Sequence, residues 1–219
     1  MVTITIALNR SYVDYCCVML LSLVEHADRN RVYEIFLLDR GDIDPQNLEK
    51  ISNVLEDSQF VLRVISVSQL IENLNLNTHW YFSKDIYLRL LIPSLITNRD
   101  RIIYIDCDMI FERDIGDFFD LELSGFAIGG VRDPGVSCMI AHEVSCKIED
   151  RIIHIKDYIA DLGLGDGSQY INSGVLLMDL KALRFLEFTE RSLALVQRTH
   201  FVFPDQESFA IFLGLLFRS

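Results

Sequence analysis

The sequence is poor in basic residues, proline and tryptophan, and it has no long hydrophobic run. Its 219 residues carry 20 Lys and Arg against 32 Asp and Glu, a formal net charge of −12. Such acidity argues against a nucleic-acid binder or a polybasic membrane-surface protein. No apolar stretch approaches the roughly 18–20 residues that span a bilayer. Met1 to Ile6 shows no basic leader ahead of an apolar segment. The five cysteines, Cys16, Cys17, Cys107, Cys138 and Cys146, form no C-x-x-C and no Cys/His spacing suited to zinc. A reduced compartment is the simplest reading. We expect a soluble cytoplasmic protein, with peripheral contact at the inner membrane face left open. Internal repeats, low-complexity segments and linkers are missing too, so a single domain over 1–219 is expected.

What is present is a core-forming composition, 50% hydrophobic and 24% charged, which excludes a disordered or collagen-like chain. Short apolar runs alternate with helical patterns. Val2 to Leu8, Tyr33 to Leu38 and Phe60 to Val67 read as strands. Between them, Val13, Cys17, Leu20, Leu21 and Val24 recur at helical spacing. Asp44-Pro45 opens a helix carrying Leu48, Ile51 and Leu55. A further helix is predicted from Ser83, with Ile86, Leu90 and Leu91 inward, ending near Pro93. Arg101 to Ile105 is short and nearly all apolar, as in a central strand covered on both faces. Phe126 to Val131 and Gly174 to Leu180 are further strands, and Leu183 to Gln197 and Glu207 to Phe217 read as helices. The alternation predicts an α/β fold with a mostly parallel sheet and a Rossmann-like first half. Gly163, Gly165 and Gly167 lead toward a strand, so they read as a loop and not as a phosphate cradle.

Ile102-Ile103-Tyr104-Ile105-Asp106-Cys107-Asp108 is the most informative segment. Alternate side chains of a strand share a face, so Asp106 and Asp108 offer two carboxylates side by side at a carboxyl end, where open α/β sheets bind ligands. Adjacent carboxylates repel, and a hard divalent cation resolves the repulsion. Mg²⁺ or Mn²⁺ held this way spends its remaining positions on water and substrate phosphates. Such a cation also answers the charge problem that an anionic ligand would meet here. The alternative is a solvated acidic loop after a buried strand.

This D-x-D resembles that of family 8 glycosyltransferases, retaining enzymes with a GT-A fold that use nucleotide sugars. Four further segments match in order: Ile6 to Tyr12, Tyr87-Leu88-Arg89-Leu90, Tyr170 to Leu180, and Phe203-Pro204-Asp205-Gln206-Glu207. The resemblance implies a GT-A sheet, mostly parallel but mixed, flanked by helices. It also implies transfer of a hexose, glucose or galactose, from a UDP-hexose donor to a saccharide acceptor, lipid-linked or not, with Mn²⁺ or Mg²⁺ at Asp106 and Asp108. By resemblance, Ala7, Asn9, Tyr12 and the Cys107 backbone hold the nucleotide. Arg89, Asp106, Asp133, Asn172, Ser173, Asp205 and Gln206 hold the donor sugar, with Asp205 and Gln206 at the reacting face. His79 is a weaker candidate for phosphate or acceptor contact. Residue by residue, blander readings stand beside these: a core aromatic for Tyr12, a surface ion pair for Arg89, a tight turn for Asn172 to Gly174, an N-cap for Asp205.

The chain departs from the family pattern at its end. The family's C-terminal His-x-x-Gly-x-x-Lys-Pro-Trp segment is not found before Ser219, and neither His154 nor His200 is placed to replace its histidine. Phe209 to Phe217 is apolar on every side, so a partner chain, an oligomer or further residues are expected to cover 209–217. Two other functions compete: a haloacid-dehalogenase-type phosphatase, disfavoured by Ile110 and by the motif's late position, and a shortened sugar-nucleotide-binding or assembly subunit with weak catalysis.

Overall fold

The computed structural model describes residues 1–73, 84–148, 151–198 and 201–216. Its centre is a sheet whose strands are β1 (Val2–Leu8), β2 (Tyr33–Asp39), β3 (Phe60–Ser66), β4 (Arg101–Ile105), β5 (Ile128–Arg132) and, after the hairpin of β6 (Ser145–Ile148) and β7 (Arg151–His154), β8 (Ile171–Asp179). The order is β3-β2-β1-β4-β8-β5. The four strands from β3 to β4 run parallel, while β8 is antiparallel to both β4 and β5. The expected mixed, mostly parallel sheet is what the chain forms.

Ten helices pack around it among the described residues: α1 (Val13–His26), α2 (Pro45–Val54), α3 (Ser68–Asn73), α4 (Leu88–Leu95), α5 (Gly116–Phe119), α6 (Pro134–Ala141), α7 (Ile155–Asp161), α8 (Leu180–Phe185), α9 (Phe188–Arg198) and α10 (Pro204–Leu216). The pleat of β4 sorts its side chains to two cores. Ile103 and Ile105 face α1 and α2, whereas Ile102 and Tyr104 face α4, α8, α9 and α10. Burial on both faces explains why this strand reads as an unbroken apolar run.

Several expectations change. Pro93 lies inside α4 and does not end it; the lost amide costs one hydrogen bond, and the surrounding apolar burial carries the helix two residues further. A 3-10 turn, Lys84–Tyr87, precedes α4, and the expected start at Ser83 falls outside the described residues. Leu21 is exposed, and the buried face of α1 runs instead through Cys16, Met19, Leu20 and Leu23. The single helix expected over 183–197 is two, parted at Leu186 and Glu187, where Glu187 takes φ +53°. Asn172, Ser173 and Gly174 stand within β8, not in a turn before it. The glycine loop before β8 has positive φ at Gly163, Gly165 and Gly167 and follows a helix, unlike a phosphate cradle.

Candidate active site

β1 has β2 on one side and β4 on the other, so the sheet changes direction of growth between β1 and β4. Ligands of open α/β sheets bind at the carboxyl ends flanking such a point. A cavity of about 190 Å³ lies there, lined by Ala7 of β1 with Asn9 and Tyr12 after it, by Tyr104 of β4 with Asp106, Cys107 and Asp108 after it, and by Ile86 and Arg89. Asn9 fixes the turn after β1 by accepting a hydrogen bond from the Ser11 amide at 3.0 Å. Tyr12 is 45% exposed at the start of α1, which removes the reading of a core aromatic. Burial pushes the Cys107 thiol up to about 11, so the thiol stays protonated.

Arg89 is neither a surface ion pair nor a free cation. It is buried, with its guanidinium over the Tyr104 ring at 4.7 Å. Nη2 donates to Asp106 Oδ1 at 3.0 Å, and Nη1 meets Asp205 Oδ2 at 3.0 Å, Ser173 Oγ at 2.7 Å and the Ser173 carbonyl at 2.9 Å. Ser173 Oγ donates in turn to Asp205 Oδ2 at 2.8 Å. One side chain thus ties the residue just after β4, the beginning of β8 and the first turn of α10. Asp205 is inside that turn and does not cap the helix.

Asp106 Oδ1 also accepts from the Tyr104 hydroxyl at 2.6 Å. Burial raises the Asp106 pKa against the opposing pull of Arg89 and Tyr104. Its Oδ2 accepts no hydrogen bond among the described residues and lies 2.9 Å from where a Cβ on Gly174 would stand. Asp108 is exposed at the same rim. Two hard carboxylates with an uncommitted oxygen suit Mg²⁺ or Mn²⁺, which commonly take one or two protein carboxylates and fill the rest with phosphates and water. Among the described residues, no group of three or more His, Cys, Asp or Glu is arranged to hold a metal ion.

Beside this lies a second cluster. Asp133 is buried at the start of α6, where Oδ1 accepts from the Val136 amide at 2.6 Å. Its Oδ2 accepts from Asn172 Nδ2 and from Gln206 Nε2, each at 2.9 Å. An amide donating through Nε2 keeps its oxygen as an acceptor, so Gln206 presents a carbonyl and no nucleophile. Asp133, Asn172 and Gln206 form one hydrogen-bonded set and Ser173, Asp205, Arg89 and Asp106 another, and the chain neighbours 172–173 and 205–206 bring the two together as a polar floor. His79 and His200 lie outside the described residues. Tyr104 was not singled out from sequence, although its place two residues before Asp106 on one strand face is the signal that would have found it.

The sheet order, the switch-point cavity and the paired carboxylates at the end of β4 define the GT-A class of fold. The profile of glycosyl transferase family 8 matches residues 3–216, and the chain belongs to that family. It is 24% identical over 192 residues to General stress protein A of Bacillus subtilis, covering 86% of this chain and 58% of that one. It is 26% identical over 169 residues to the lipopolysaccharide 1,2-glucosyltransferase of Escherichia coli, covering 75% of this chain and 45% of that one. The chain therefore spans about half the length of these curated relatives. Among solved structures, the bifunctional glycosyltransferase WbbM superposes with TM-score 0.88 at 21% identity, over 97% of this chain and 37% of that one. The galactosyltransferase LgtC, solved with donor and acceptor sugar analogues, superposes with TM-score 0.76 at 22% identity, over 96% of this chain and 70% of that one.

Proposed function

We propose that the chain is a retaining hexosyltransferase that moves glucose or galactose from a UDP-sugar to a saccharide acceptor. The observation that carries this reading is the placement of Asp106 and Asp108 at the mouth of a cavity whose other wall is Ala7, Asn9 and Tyr12. The β1 side suits a flat base and its ribose: an exposed tyrosine ring for stacking, an amide for a base edge, and backbone for the sugar. The β4 side suits a diphosphate. Asp106 and Asp108 would hold Mg²⁺ or Mn²⁺, and when bound such an ion supplies Lewis-acid stabilisation of charge on the departing diphosphate.

The polar floor does the rest. Asp133, Asn172 and Asp205 offer carboxylate and amide groups to the hydroxyls of a hexose, and the buried guanidinium of Arg89 holds Asp106 and Asp205 in place. A double displacement through an enzyme-bound sugar needs a carboxylate nucleophile at the anomeric carbon. Gln206 offers an amide oxygen there, which is a poor nucleophile but a good dipole for positive charge on an oxocarbenium-like sugar. A front-side route follows: the acceptor hydroxyl attacks on the face of the leaving group, and a diphosphate oxygen takes its proton. A trapped sugar ester on Asp205 would refute that route.

Calorimetric titration of UDP with and without Mn²⁺, followed by assay of UDP-glucose and UDP-galactose turnover, tests the reading. Manganese-dependent binding with turnover is the expected result. Binding without turnover would favour a sugar-nucleotide-binding subunit of the same fold, and no UDP binding in either condition would end both.

A further inference from the structure

Behind the polar floor, α10 carries a carboxyl group that the reaction does not use. Glu207 is fully buried one residue beyond Gln206. Its Oε2 accepts from the Tyr158 hydroxyl of α7 at 2.8 Å, and that hydroxyl oxygen also accepts from the Val202 amide at 3.2 Å. Oε1 has no partner among the described residues, and neither has the buried hydroxyl of Tyr170, whose carbonyl accepts from the Asp133 amide at 2.9 Å. The surroundings are apolar: Val136, Ile155, Ile159 and Ala210 pack in the same core as Tyr158 and Tyr170. The titratable groups facing Glu207 are Tyr158 from α7, Tyr170 at the start of β8, Cys146 from β6 and Asp205 from α10 itself. None of these supplies a positive charge.

We propose that Glu207 is a positioning residue that works as a neutral carboxylic acid, anchoring the first turn of α10 on Tyr158 so that Asp205 and Gln206 stay in register with Asp133, Asn172 and Arg89. A buried charge with half its lone pairs unmet is far costlier than a neutral acid in the same place. Burial accordingly pushes the carboxyl up to about 8, with the hydrogen bond from Tyr158 opposing and the neighbouring charge of Asp205 adding to the rise. Ionisation would put an anion two residues from Asp205 and strain the turn that presents both site residues. The inference rests on the transferase reading for its functional consequence, but its protonation can be read without turnover.

The sign follows from proton binding. The folded pKa lies above the ordinary 4.5, so the native state binds the extra proton. The stability this contributes is complete below about pH 4.5 and is lost progressively as pH rises through about 8. Glu207→Gln is neutral in both states and removes that dependence. The test compares wild type and Glu207→Gln by thermal denaturation from pH 5 to 9, and by UDP-sugar turnover over the same range. The expected result is a Tm advantage of the glutamine variant that grows by roughly 10 °C across the range. Its kcat should match wild type at pH 6.5 and lack the tenfold loss per pH unit that wild type shows above about pH 8. Glu207→Leu, which cannot accept from Tyr158, should lower kcat at every pH with little change in KM. Parallel Tm profiles would overturn the proposal, as would a folded Glu207→Gln protein inactive at every pH. Diverging Tm profiles with no turnover in any protein would leave the neutral acid standing and overturn the transferase reading instead.

Discussion

Arg89 shows best what a single side chain decides. It is held by Asp106 and Asp205, and it leaves Nε without a partner. Arg89→Leu removes the cation from between two acids, which costs about 3 kcal/mol of stability when a buried pair is broken; the low end applies because Asp106 is partly solvated. Urea denaturation should read that loss, together with collapse of UDP-sugar turnover. Asp108 is the opposite case: exposed, with no shift of fold expected. Asp108→Ala should leave the unfolding midpoint within about 0.5 kcal/mol of wild type while abolishing manganese-dependent UDP binding; unchanged affinity would remove the metal role assigned to it. The sequence exposed Asp106 and Asp108 because the pair follows directly on the apolar run of β4, although both lie just past the strand, which ends at Ile105. It hid the true setting of Arg89, because Ser173 and Asp205 reach it only through long-range packing.

At the scale of elements, β8 and α10 build the polar cluster beside the cavity. β8 threads antiparallel between β4 and β5, and its backbone pairs with the end of β4 through the Asp106 amide and the Gly174 carbonyl at 2.8 Å. Gly174 is needed there for closeness and not for an unusual backbone angle. An added Cβ would stand 2.9 Å from both Asp106 Oδ2 and Asn172 Oδ1. Gly174→Ala should therefore cost about 1–3 kcal/mol through overpacking and displace Asp106. Activity should fall by more than the folded fraction does, which parallel denaturation and turnover measurements would show. Sequence periodicity located both elements but misplaced their starts. Asn172-Ser173-Gly174 has the residue types of a turn, yet pairing with β4 and β5 extends the strand through them. The short β6–β7 hairpin escaped notice because four-residue strands carry too little alternation to stand out. The described part of α10 resolves part of another expectation: Phe209 is buried against Phe188, ring centroids 5.2 Å apart, so this chain covers the start of the all-apolar stretch itself.

For the molecule as a whole, the charge of −12 sets a condition on any anionic ligand. The basic residue lining the cavity, Arg89, is committed to the site acids, and elsewhere Arg63 and Arg99 are held by the buried Glu34 and Arg31 by Asp114 and Asp120. Without divalent cation, UDP must approach an acidic surface, so raising the ionic strength from 20 to 200 mM should strengthen its binding by screening the repulsion. With saturating Mn²⁺ the dependence should shrink. Affinity that falls with salt in the metal-free protein would contradict this view of the field. The fold class was readable from the strand and helix rhythm, since that depends on local periodicity. The distribution of committed and free charge was not, since ion pairs are made between residues far apart in the chain.

The tie made by Arg89 also sets an order of assembly. On a ribosome, Asp205 emerges on the order of 5–20 s after Asp106, so for that interval the guanidinium has one of its two acids and the polar floor lacks its final turn. A nascent chain halted in that interval has the cavity wall and the pair of carboxylates but lacks Asp205 and Gln206. The polar cluster is completed last, when α10 docks.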